Sequence, residues 1–75
     1  MQQIHLIGYG KQAAKPVSEL RPGDVVVWNY GYKSTVLSVT NPGGTSILTV
    51  SLQSQSNGLV SERRMRASRL IAVES

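Results

Sequence analysis

The chain has 75 residues, enough for one domain near the lower size at which a single core holds without staples. It is 40% hydrophobic and 16% charged, too apolar for a disordered tail, and its formal charge of +4 favours polyanionic partners while also aiding solubility. It has no cysteine, which excludes a disulfide framework, a thiolate metal site and a cysteine nucleophile.

No apolar run approaches membrane-spanning length, and the start lacks the basic region and long apolar region of a signal peptide. A cytoplasmic protein with no membrane partner is therefore expected. Aromatic residues are few: Trp28, Tyr9, Tyr30 and Tyr32, with no phenylalanine. The core must be built from Val, Ile and Leu, and self-association into a homo-oligomer is one way for such a chain to gain stability.

Residues 2–8 alternate, with Ile4 and Leu6 on one face and Gln3 and His5 on the other, and read as a strand ending at Gly8, Tyr9 and Gly10. That Gly-x-Gly is a turn signal only, because no third glycine or long helix follows it. Residues 11–15 precede Pro16 and are too few to sustain a helix, so they read as a basic loop with at most one helical turn. Leu20 is expected to plug one end of the core.

Pro22 and Gly23 form a type II turn signal, Pro22 presetting φ and Gly23 accepting a positive one. Asp24 then opens Val25, Val26, Val27 and Trp28, the most β-prone segment, apolar on both faces and so expected to be the central strand. Residues 29–32 read as a hairpin loop with Gly31 left-handed, and Lys33–Thr40 as the returning strand, with Leu37 and Val39 inward. Asn41, Pro42, Gly43 and Gly44 signal a turn. Residues 45–53 form a strand with Leu48, Val50 and Leu52 inward, and Asn57-Gly58 a hairpin turn. Residues 59–66 follow with Leu59 and Met65 inward, then a short 3₁₀ turn at Ala67 and Ser68, and a last strand over 70–73. Short strands at regular spacing mean an all-β fold over residues 1–75, a small barrel of five or six strands.

The segment Leu20, Arg21, Pro22, Gly23, Asp24, Val25, Val26 resembles the opening strand of KOW-type and Hint-type β modules. With the 3₁₀ turn before the last strand, the pattern is similar to an SH3-like barrel. The chain as a whole also resembles small uncharacterised proteins of actinobacterial phages, which implies a host-cell cytoplasmic location. The splice-junction Cys or Ser and the Thr-x-x-His block of a Hint protease are absent, so no autoprocessing is expected.

His5 is the only histidine and has no carboxylate near it in sequence, so it reads as a surface strand residue. Asp24 is expected to cap backbone N–H groups after its turn. Nothing aligns a base, a nucleophile and an oxyanion hole, so no enzyme, cofactor or metal site is expected.

The basic residues carry more. Arg63, Arg64, Arg66 and Arg69 fall across a strand end and the following turn. Strand parity puts Arg64 and Arg66 on Glu62's side and Arg63 on Met65's side. Such a cluster suits phosphate oxygens, it equally suits an edge strand guarded by charge against pairing, and an acidic protein partner is a third reading. Tyr30 and Tyr32 flank Gly31 at a loop tip beside Lys33, where exposed tyrosines stack on bases or anchor protein contacts, and where at least one is expected to cover the barrel mouth. Trp28, inside the valine run, reads as core. The expectation is a non-enzymatic module that binds nucleic acid, DNA or RNA, through Arg63, Arg64, Arg66, Arg69, Tyr30, Tyr32 and Lys33. The alternative is a module that docks on a host or phage protein.

Overall fold

The computed structural model describes residues 2–41, 43–44 and 46–74. Its strands are β1 (Gln2–Leu6), β2 (Gly10–Pro16), β3 (Val25–Val27), β4 (Lys33–Thr40), β5 (Ile47–Ser54), β6 (Val60–Arg66) and β7 (Leu70–Ala72). They form two antiparallel sheets, ordered β1-β2-β7 and β3-β4-β5-β6. The sheets meet where Val26 bridges Val73 and where the Glu74 N–H donates to the Val25 carbonyl at 2.9 Å. β1 and β6 are the far edges, and the sheets do not close into a barrel.

Residues 11–15 are a strand rather than a basic loop, which raises the count to seven. They are too short to stand alone, but β2 lies between β1 and β7 and receives backbone hydrogen bonds from both. The Gly8-Tyr9-Gly10 stretch is the reversal that makes this possible. Pro16, with no N–H to give to the ladder, is the last residue of the strand. The following 3₁₀ turn, Val17–Glu19, was not foreseen. At Ala67 and Ser68, where such a turn was expected, there is a single hydrogen-bonded reversal, with the Arg69 N–H donating to the Arg66 carbonyl at 3.1 Å.

The turn after Leu20 forms as expected. The Asp24 N–H donates to the Arg21 carbonyl at 3.0 Å, Gly23 has φ 96°, and the Asp24 carboxylate accepts the Arg21 N–H at 2.9 Å. β3, however, is an edge of its sheet and not its centre. Its two apolar faces have another cause. Val26 enters the main core with Val17, Leu20, Val36, Leu48, Val50, Leu52, Met65 and Ile71, while Val27 enters a second cluster with Leu6 and Ala72. The strand sits at the joint between the sheets and serves both cores.

β5 alternates as its sequence does, with Leu48, Val50 and Leu52 buried. β4 breaks parity. A bulge between Val36 and Ser38 ejects Leu37, which is 40% exposed, and puts Val36 in the core three residues before Val39, half-buried against it. Leu59 is a second correction: it precedes β6 and is exposed, while Met65 is buried. The turn signal at residues 41–44 includes Pro42, and the strand start at Thr45, which lie outside the described residues; the Gly44 N–H donates to the Asn41 carbonyl at 3.2 Å.

Candidate nucleic-acid interface

Trp28 leaves β3 at the start of a 3₁₀ turn, Asn29–Gly31, in which Tyr30 (φ 65°) and Gly31 (φ 84°) are left-handed. This turn locks onto the β1–β2 reversal. The Asn29 Oδ1 accepts the Ile7 N–H at 3.0 Å, the Tyr30 N–H donates to the Ile7 carbonyl at 2.7 Å, and the Tyr30 ring lies over Gly8 while the Tyr9 ring lies over Gly31. Tyr9 and Tyr30 each lay one side of the ring on the other loop's glycine and stay exposed, as does Tyr32, so the expected burial of at least one of Tyr30 and Tyr32 is not seen. Tyr30 is 67% and Tyr32 63% exposed, and Tyr9, which the sequence did not single out, joins them at the surface. The signal for Tyr9 was there in its flanking glycines, but not the partner loop.

Trp28 is both core and surface. It packs against the main cluster, and its indole N–H donates to the Oγ of buried Ser34 at 3.0 Å. The Arg63 guanidinium lies 4.9 Å from the centre of its ring, a cation–π contact.

The four arginines do not converge. Met65 and Arg63 pair with the inward residues Leu48 and Val50, so Arg63 is on the core side of β6, over Trp28. Arg64 and Arg66 pair with Thr49 and Ile47 and lie on the opposite, outer face with Glu62. Arg69, past the turn, lines a groove of about 230 Å³ together with His5, Trp28 and Asn29. Among the described residues none of these arginines is in an ion pair. Lys33 is, with Glu74, and that contact holds its ammonium above the usual lysine value. Lys15 pairs with Asp24 at 2.8 Å.

A larger groove, about 520 Å³, is lined by Gln2, Lys15, Pro16, Glu19 and Glu74 among others. It carries two carboxylates and no arginine, the wrong sign for a polyanion, so the smaller groove is the candidate site. Among the described residues no group of three His, Asp or Glu could hold a metal ion, and no helix is long and apolar enough to cross a membrane.

Compared with known families and proteins, the chain matches no family model, no curated protein and no solved structure.

Proposed function

We propose that this chain is a non-enzymatic binding module for single-stranded nucleic acid, held on the face that carries Trp28, Arg63, Arg69 and the tyrosine loop. One observation carries the reading: two arginines outside any ion pair among the described residues stand beside Trp28 or in the groove that Trp28 lines. Arg63 lies on Trp28, Arg69 lines the groove beside it, and Asn29 leads directly to Tyr30. Guanidinium groups grip phosphates, and aromatic faces stack on unpaired bases of any sequence. A duplex hides its base faces, so the aromatic half of the surface suits a single strand.

The frame for this surface is read as an SH3-like barrel, opened between β1 and β6. In support, the edges of the two sheets are joined at Val26 and Val73, and the four-stranded sheet curls far enough for Arg63 on β6 to reach Trp28 after β3. Arg64 and Arg66 take the other role that their pattern allowed, charging the outer face of an exposed edge strand against pairing with another chain.

A second reading, docking on a protein, is favoured by Leu59 and Val60, 68% and 57% exposed beside that open edge. The test is fluorescence anisotropy with labelled oligonucleotides across a salt series. Phosphate contacts make affinity fall steeply with salt, whereas an apolar protein interface does not.

A further inference from the structure

We infer that the groove between β1, Trp28 and β7 is a subsite for one nucleotide, with the base against the indole and the phosphate on Arg69. The inference deepens the nucleic-acid reading and rests on it. The groove's floor is apolar, formed by Ile4, Leu6, Val27 and Ala72, and its rim is polar, formed by His5, Asn29 and Arg69. A volume of about 230 Å³ falls below the roughly 300–1,000 Å³ of pockets that enclose a drug-sized ligand. That leaves room for one flat ring and its sugar.

Two of the rim groups, Asn29 and Arg69, have capacity to spare. Asn29 uses its Oδ1 on the Ile7 N–H, which leaves both side-chain N–H donors for the ring nitrogens or carbonyls of a base. Arg69 is exposed, and only its backbone is engaged, with Arg66 and Val17. Its five guanidinium donors are available to a phosphate. Trp28 lines the groove and Arg63 does not, so the guanidinium bound to the indole leaves the groove open. Opposite His5 on β2 is Lys11, also exposed and outside any described ion pair, so positive charge continues along the hairpin from the subsite.

The test uses the whole chain, ¹⁵N-labelled, with octathymidylate as the probe at low salt. The Trp28 indole N–H, the His5 and Asn29 amides and the Arg69 side chain should shift most. Arg69→Ala should weaken binding about tenfold or more, the usual consequence of removing hydrogen bonds to a charged group. Arg21→Ala, which removes an equal charge from an exposed site elsewhere, should weaken it far less. Since the Arg69 side chain makes no hydrogen bond or ion pair among the described residues, the variant is expected to stay folded, which its unchanged thermal melt checks. If octathymidylate binds but shifts only Thr49, Arg64 and Arg66, with Arg69→Ala no worse than Arg21→Ala, the subsite is wrong and the broader reading stands. If octathymidylate does not bind at all, both fall together.

Discussion

The guanidinium of Arg63 stands 4.9 Å from the centre of the Trp28 ring, although β6 and β3 are at opposite edges of one sheet. Three strand spacings of about 4.8 Å would separate those strands by roughly 14 Å if the sheet were flat. Side chains standing perpendicular to a flat sheet would not meet across that distance, so the contact reports how strongly the sheet is curled. Arg63→Ala should cost only about 0.5–1 kcal/mol, the range of an exposed cation–π pair, while shifting Trp28 emission to the red as water reaches the indole. An unchanged emission spectrum would mean that the guanidinium does not cover the ring in solution.

The bulge in β4 makes a paired prediction. Val36→Ala should destabilise by about 2 kcal/mol, from two buried methyl groups lost and a partly retained cavity. Leu37→Ala, at the ejected position, should stay within about 0.5 kcal/mol of wild type. Urea unfolding of both variants measures this, and the reverse order would remove the bulge. In β5, without a bulge, Leu48→Ala should likewise exceed Ile47→Ala.

Gly8 and Gly10 are both left-handed, at φ 69° and 107°, but only Gly8 lies under a ring. A β-carbon at Gly8 would sit 2.4 Å from Tyr30 Cδ1, whereas one at Gly10 would meet nothing within 4 Å. Gly10→Ala should therefore cost about 1–2 kcal/mol of backbone strain alone, and Gly8→Ala more, because Tyr30 must also leave its seat. Thermal melts separate the two, since about 1 kcal/mol moves Tm by roughly 4–8 °C at this size. Equal melting temperatures would show that the two loops do not interlock.

Stability should also depend on acid pH through Asp24. Its hydrogen-bonded pairing with Lys15 and its bond from the Arg21 N–H hold the carboxyl below its ordinary value of 3.8. The folded state therefore binds this proton less readily than the unfolded chain does. The contribution is complete above about pH 4 and is lost as pH falls through the lowered folded value. Asp24→Asn should melt below wild type at neutral pH, by a margin that shrinks below about pH 4. A margin constant from pH 6 down to pH 2 would show that the ionised carboxylate is not what stabilises the turn.

What the sequence revealed follows from the range of each interaction. The Arg21–Asp24 turn, the alternation of Leu48, Val50 and Leu52, and the opposite faces of Arg63 and Arg64 are set by neighbours a few residues apart. They were legible. The bulge at Leu37 was not, because local parity fits either choice of inward residue and only pairing with β5 selects Val36. β2 was missed for the same reason: Ala13 and Ala14 are indifferent strand formers until β1 and β7 flank them. At the candidate site the arginines and tyrosines were visible as residue types. That Trp28 joins them, with His5 and Asn29 on the groove rim, depends on contacts between segments far apart in the chain.

The most direct test of the central claim is the salt dependence of single-strand binding, read by fluorescence anisotropy on labelled oligothymidylate. Log affinity should fall linearly with log salt, with a slope of about −0.7 for each phosphate contacted. Arg63→Ala with Arg69→Ala should flatten the slope by roughly two contacts' worth, while Arg64→Ala with Arg66→Ala, on the far face, should leave it nearly unchanged. A duplex of the same length should bind more weakly than the single strand. Absence of binding at low salt, where phosphate contacts are strongest, would contradict the account and leave the open β6 edge, with Leu59 and Val60, as the working surface for a protein partner.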